Sequence, residues 1–307
     1  MVKNFQELLD LAKEREPKKI AVAVAEDREV LTSVKAAKDL GVADSILVGD
    51  KNKIEKIAKD IKMDLSQFEI IDEKDTVEAC RKAVSLVSSK KAHVLMKGLI
   101  DTAVIMKQVL DKEIGLRTGN LISHLAVFSV STYEKLIIVT DAAMNIHPNL
   151  SQKRQIIENA VSFAHSLEME KPKVAVICAR EKVTPNMEAT IHARELEDMN
   201  KRGDITGCII EGPLALDNAI SKEAAKHKGI DGPVAGDADV LIVPNIETGN
   251  VLYKSLTFFA KAESAGLIVG TSAPIVLTSR ADTAEAKLRS IVLGVLMASK
   301  SGHTYGL

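Results

Sequence analysis

The first third of the chain alternates between short apolar runs and longer amphipathic stretches, and this alternation restricts the fold more than any other feature. Lys19 to Ala25 (KIAVAVA) has the character of a strand, bounded by Pro17 and Glu26-Asp27. Glu29 to Leu40 carries the 3.6-residue period of an amphipathic helix and stops at Gly41. Ser45 to Val48 is a short strand closed by Gly49-Asp50, and Lys51 to Ile61 follows as a helix. Phe68 to Ile71, Thr76 to Lys90 and Ala92 to Met96 extend the series as strand, helix and strand. Helices between successive strands imply right-handed crossovers and a parallel sheet. Ligands of such sheets gather beyond the carboxyl ends of the strands. Lys97-Gly98, directly after the fourth strand, therefore lies on the functional edge.

The middle of the chain follows another pattern. Leu121 to Val130 and Leu136 to Thr140 are apolar runs joined by the short link Ser131 to Lys135, which suits an antiparallel hairpin. Alternation then resumes with a helix over Lys153 to Leu167 and a strand over Val174 to Ala179. Thr184-Pro185 predicts a further helix with proline at its first position, ending at Gly203. Cys208 to Ile210 and Val240 to Val243 are strands, and a helix is expected from Asn250 to near Gly266. Ile275 to Leu277 forms a last short strand, and Thr283 to about Ala298 a last helix. A chain of 307 residues is long for one core, so two α/β lobes are expected. No repeat, low-complexity segment or Gly/Ser linker marks the seam, which we place near Gly119. Residues 1–119, completed by 275–307, form the first lobe, and 120–274 the second.

Charge and composition narrow the function. The 41 basic and 42 acidic residues nearly cancel, so any anion site must be local, and nucleic acid or an anionic membrane is not an expected partner. Aromatic residues make up 3%, with no Trp, which argues against base-stacking platforms and for an aliphatic core. Cys80, Cys178 and Cys208 are far apart, odd in number and without metal-ligand spacing, so they are expected to be buried thiols. No signal-peptide run or span-length apolar stretch occurs, and a cytoplasmic protein is expected. No G-x-G-x-x-G follows the first strand, and no Walker sequence is present. Asp231, Asp237 and Asp239 are acidic enough for Mg²⁺ but suit turn residues better.

Several junctions between strand and helix can carry chemistry. The foremost is Leu277-Thr278-Ser279-Arg280-Ala281-Asp282, where a hydroxyl and a guanidinium project between the last strand and the last helix. Helix N-termini attract anions, and an arginine fork matches phosphate geometry. Asp282 and Glu285 have the D-x-x-E spacing of a capping-box-like helix start, with Asp282 as N-cap; the alternative is that one of them is a general base. At Lys97-Gly98, glycine allows close backbone approach, and Lys97 with Lys107 offers point charges to phosphate; equally, Asp101 is a helix cap and both lysines are solvated. Thr248-Gly249-Asn250 is either a small anion-binding nest or a cap at Asn250. Asp141 is a ligand contact or a turn residue.

Resemblance goes further than spacing. Glu211-Gly212-Pro213-Leu214-Ala215-Leu216-Asp217-Asn218-Ala219 is similar to a signature of the phosphate acetyl/butyryltransferase family. So are Val234 to Pro244, Glu247-Thr248-Gly249-Asn250, Lys261 to Gly266 and Leu277-Thr278-Ser279-Arg280-Ala281-Asp282. The forms at 212–219 and 277–282 resemble the butyryl branch, and the resemblance covers essentially the whole chain. It implies an acyltransferase acting between coenzyme A and inorganic phosphate: butanoyl-CoA plus phosphate giving butanoyl phosphate plus CoA. It also implies a two-lobed α/β/α fold like that of isocitrate and isopropylmalate dehydrogenases, with the site in an interlobe cleft, and a homodimer or higher homo-oligomer. No cofactor or metal is implied; coenzyme A is a substrate. By the same resemblance Ser279 contacts the thiol sulfur and Arg280 binds phosphate or acyl phosphate. Lys107 approximates a second basic residue of the family. The acetyl branch has its proposed base six residues after that arginine; here Ala286 stands there, with Glu285 just before it. Direct transfer in a ternary complex is expected. The alternatives are acetyl-CoA as substrate, a metal- and NAD-dependent dehydrogenase of related fold such as the hydroxythreonine-phosphate enzyme, and a non-catalytic sensor of coenzyme A or phosphate.

Overall fold

A computed structural model describes residues 2–279 and 282–300. The chain divides into two compact units. One comprises Phe5–Asn120 with the segment from Ala265 onward; the other comprises Leu121–Ser264 with the first residues up to Asn4.

The first unit runs α1 (Phe5–Lys13), β1 (Lys18–Ala23), α2 (Arg28–Asp39), β2 (Ala43–Gly49), α3 (Lys51–Asp60), β3 (Glu69–Asp72), α4 (Thr76–Ser88), β4 (Val94–Lys97) and α5 (Thr102–Val109). β1 pairs in parallel with β2 and β4, and β2 with β3, as the alternation predicts. Every residue from Ile20 to Ala25 is buried, which is why this run is apolar throughout rather than alternating. The helices start where aspartates satisfy their free N–H groups. Asp27 accepts from Val30 N at 2.9 Å, Asp50 from Asn52 N at 3.1 Å, and Asp75 from Val77 N and Glu78 N at 2.9 Å.

The second unit opens with β5 (Ser123–Ser129) and β6 (Ile137–Thr140), which form the expected antiparallel hairpin. It continues through α6 (Leu150–Ser166), β7 (Lys173–Ile177), α7 (Glu188–Arg202), β8 (Ile209–Leu214), α8 (Leu216–Ile220), α9 (Lys222–His227), β9 (Val240–Ile242) and α10 (Ile246–Lys254). Its strand order is β5-β6-β9-β7-β8, parallel from β6 onward. Phe128, Val139, Ile177 and Leu241 belong to its aliphatic core. The chain then returns to the first unit at Ala265, within β10 (Glu263–Val269), and continues through β11 (Ile275–Val276) and α11 (Ala284–Lys300). There the order becomes β3-β2-β1-β4-β11-β10, with β11 parallel to β4 and antiparallel to β10. In this unit α2 packs on α11, and α4 on α5.

Three elements depart from expectation. Pro185 does not open α7: it is the second residue of a turn in which Met187 N donates to Thr184 O at 2.9 Å, a position proline favours. The helix expected from Asn250 starts at Ile246, because Asn245 is its cap, accepting from Thr248 N at 3.0 Å. It does not reach Gly266. A π-helical turn over Ser255–Phe259 ends it, and Glu263–Val269 is a strand. No helix among the described residues is long and apolar enough to cross a membrane.

Candidate active site

In the first unit the carboxyl ends of β2, β1, β4 and β11 share one edge of the sheet. β11 sets Val276 beside Met96 of β4, so Leu277 and Lys97 leave the sheet as neighbours. Lys97 is not solvated: it is buried, and its ammonium donates to the carbonyls of Ile100 at 3.0 Å and Gly98 at 3.3 Å, strapping its own loop. Gly98 is needed for packing between two loops. Its N–H donates to Ala23 O at 2.8 Å, and the next N–H, of Leu99, to Val24 O at 2.8 Å. A Cβ here would overlap the Val24 carbonyl and lie 2.7 Å from that of Ala23. The close backbone approach that this glycine permits is thus made by the β1 loop, where Val24 has φ of 57°. Asp101 occupies the N-cap position of α5 without a side-chain cap bond, and Lys107 is exposed in the last turn of that helix.

The loop after β11 is closed on itself. Ser279 N donates to the Asp282 carboxylate at 2.7 Å, and Asp282 N donates to Ser279 O at 3.2 Å. Asp282 is therefore not the cap of α11. Thr283 takes that place: its hydroxyl accepts from Ala286 N at 3.3 Å, and Ala284 N donates to Glu29 Oε2 at 3.0 Å. The D-x-x-E spacing fails because the helix starts one residue later than a cap at Asp282 requires. Glu285 is exposed, and hydrogen bonds from its own N–H and then from the Thr283 hydroxyl hold its carboxyl below the usual range. It is a weak base turned to the helix start. Arg280 lies outside the described residues. Ser279 is exposed at this edge.

Two buried ionisable side chains here were missed in the sequence. Lys287 of α11 donates to Ser279 O at 2.9 Å and Asp282 O at 3.0 Å. Burial pushes its ammonium below the ordinary lysine value, against the pull of Asp282, Asp27 and Glu29. Its signal was a lysine on the apolar stripe that Ala284 and Ile291 define. Glu26, after β1, is 7% exposed, and its Oε2 has no hydrogen-bond partner. It fills the space beside Gly49, where a Cβ would overlap that oxygen.

In the second unit, Thr248, Gly249 and Asn250 lie inside α10, so they form neither a nest nor a cap at Asn250. The Thr248 hydroxyl donates to Asn245 at 2.7 Å. Gly249 lets the helix touch the end of β6: a Cβ would fall 2.8 Å from Asp141 O. Asp141 has the turn role, accepting from Ala143 N at 2.9 Å and Met144 N at 3.0 Å. Asp237 and Asp239 face lysines. Lys135 lies 2.9 Å and 2.6 Å from them, and Lys173 2.5 Å from Asp237. Beyond β7, buried Lys153 meets His192 Nδ1 at 3.2 Å, and burial, then the Lys153 charge, lowers the His192 pKa. Among the described residues no group of three His, Cys, Asp or Glu side chains is placed to hold a metal ion.

A mainly parallel sheet with a closed serine loop at the carboxyl ends of its strands is the scaffold of an α/β enzyme. The family model for phosphate acetyl/butaryl transferases matches residues 4–81 and 73–295, and the chain belongs to that family. A phosphate butyryltransferase of Clostridium beijerinckii is 53% identical over 301 residues, 98% of this chain and 100% of that one. The crystal structure of a branched-chain phosphotransacylase from Enterococcus faecalis V583 matches with a TM-score of 0.81 at 34% identity, over 92% of this chain and 99% of that one. A 4-hydroxythreonine-4-phosphate dehydrogenase from Klebsiella pneumoniae shares the fold, with a TM-score of 0.59 at 11% identity over 92% and 99% of the two chains. The protein is thus a phosphate acyltransferase on a fold related to that dehydrogenase.

Proposed function

We propose that this enzyme moves a butyryl group between coenzyme A and inorganic phosphate. The observation that carries the reading is the 53% identity, over nearly all of both chains, to a protein named phosphate butyryltransferase. A phosphate oxygen attacks the thioester carbonyl, a tetrahedral intermediate forms, and the C–S bond breaks to release coenzyme A and butanoyl phosphate. Ser279 donates to the sulfur as it departs, and Arg280 holds the phosphate oxygens with a bidentate fork. Alignment of two substrates in a ternary complex can supply about 7–11 kcal/mol of the barrier, so no acyl-enzyme is needed. Lys97 and Gly98 after β4, Lys107 in α5, and Thr248, Gly249 and Asn250 in α10 are the proposed substrate-binding groups. Of these, Lys97 and Gly98 act by shaping the loop. The enzyme is proposed to be a cytoplasmic homodimer that needs no cofactor or metal.

Thiol release from acetyl-, butyryl- and longer acyl-CoA with phosphate, with and without EDTA, tests this directly. The highest kcat/KM is expected with butyryl-CoA, unchanged by EDTA. A preference for acetyl-CoA makes it an acetyltransferase, and a nicotinamide-dependent absorbance change with loss to chelator makes it a dehydrogenase. Arg280→Ala is expected to raise the phosphate KM at least about tenfold with the fold intact, and Arg280→Lys to recover part of that, because lysine lacks the fork. Unchanged phosphate kinetics in Arg280→Ala would remove the arginine from the mechanism.

A further inference from the structure

α11 carries a lysine on its buried face. Ala284, Lys287, Ser290, Ile291 and Gly294 all face inward, and Lys287 is 3% exposed. An ammonium in that place costs desolvation that methionine or leucine would not, so its presence calls for a reason beyond packing. Its contacts supply one. Nζ donates at 2.9 Å and 3.0 Å to the carbonyls of Ser279 and Asp282, the two residues that bracket positions 280 and 281. The same two residues are joined by the Ser279 N–H to the Asp282 carboxylate and by the Asp282 N–H to Ser279 O. One side chain on the first turn of the helix thus fixes both ends of the serine loop from inside. The charges facing it are Asp282 on the loop, and Asp27 and Glu29 at the start of α2.

The geometry points to Lys287 as a positioning residue: it holds the carbonyls of Ser279 and Asp282 and so fixes Ser279 in the conformation from which it meets phosphate. The phosphate part of this inference rests on the proposed function; the loop part does not. A methionine fills the same volume but takes the ammonium donor from both carbonyls, leaving Ser279 O with the Asp282 N–H alone, and a displacement of reacting groups by a fraction of an ångström to an ångström is costly in rate.

Two measurements on the full chain test it. The first is amide exchange without substrate. In Lys287→Met the peptide over 277–286 is expected to exchange about tenfold faster, while peptides within 288–300 keep wild-type protection. The second is steady-state kinetics. The phosphate KM is expected to rise about 10- to 100-fold in Lys287→Met, with the acyl-CoA KM within about twofold, and Lys287→Arg to recover most of the loss. Wild-type loop exchange in a folded Lys287→Met overturns the proposal, as does an Lys287→Arg no better than Lys287→Met. If Lys287→Met does not fold, Lys287→Gln replaces it, and equal loop exchange in the Gln and Arg variants is the overturning result. If wild-type protein releases no thiol from any acyl-CoA, the proposed function fails, while the exchange data still decide the role of Lys287.

Discussion

Single residues after Ser279 divide by what they already hold. The Asp282 carboxylate is engaged by the Ser279 N–H at 2.7 Å, whereas the exposed Glu285 is engaged by its own N–H and the Thr283 hydroxyl. A carboxylate that closes a loop can be replaced by an amide, whose oxygen still accepts; a general base cannot. Asp282→Asn is therefore expected to keep turnover within about threefold and Asp282→Ala to lose about tenfold, against the 10²–10⁴ loss that base catalysis predicts for both. Glu285→Gln should leave turnover unchanged. The carboxyl of Glu285 is depressed below 4.5 in the fold, so its stabilisation is present above that pH and disappears as pH falls through the folded value. Glu285→Gln should then lower the melting temperature at pH 7, and the difference from wild type should shrink as the pH falls through the folded value. A large rate loss in either amide variant, with the melting temperature kept, would reinstate that residue as the base. The sequence pattern drew attention to both carboxylates, but D-x-x-E spacing does not say which residue begins the helix. A difference of one position reassigns the cap to Thr283.

At the scale of elements, the parallel first unit was legible because β1, β2 and β4 are compact apolar runs and α2, α3 and α4 each start on an aspartate. The same cues mislead in the second half. Lys261 to Gly266 is rich in good helix formers, yet its latter part opens strand β10, whose apolar end Ala265 to Val269 is buried, so tertiary burial overrides propensity. Pro185 marks a turn rather than a helix start, since both positions demand the same φ. Nor does sequence reveal why Gly98 is glycine, because the Val24 carbonyl that excludes a Cβ belongs to a loop more than seventy residues earlier. Gly98→Ala is expected to push the β1 and β4 loops apart at a cost of about 1–3 kcal/mol, read as a lower urea midpoint at unchanged slope. Turnover should fall with it, since Lys97 straps the same loop. A variant as stable as wild type would mean that the loops separate freely and that glycine serves the ligand instead.

At the scale of the whole molecule, the choice between direct transfer and an acyl-enzyme turns on the thiols, since cysteine is the most nucleophilic side chain available. All three cysteines are buried. Burial pushes Cys80 to about 12 and Cys178 and Cys208 to about 11, against the nearby charges of Lys97, Lys153 and Lys171. At pH 7 their thiolate populations are then on the order of 10⁻⁴ or less, too few to compete with phosphate for a thioester. Cys178 stands just beyond the carboxyl end of β7, a common place for a nucleophile, but its sulfur donates to the Ala189 carbonyl at 3.3 Å. Enzyme mixed with butyryl-CoA in the absence of phosphate is therefore expected to release no burst of free coenzyme A and to keep its unmodified mass. A Cys178→Ser, Cys208→Ser double variant should turn over within about threefold of wild type, as for residues outside the reacting groups. A stoichiometric acyl adduct on any cysteine, chased off by added phosphate at the rate of turnover, would replace the ternary complex with a two-step mechanism. It would also move the reacting centre away from Ser279.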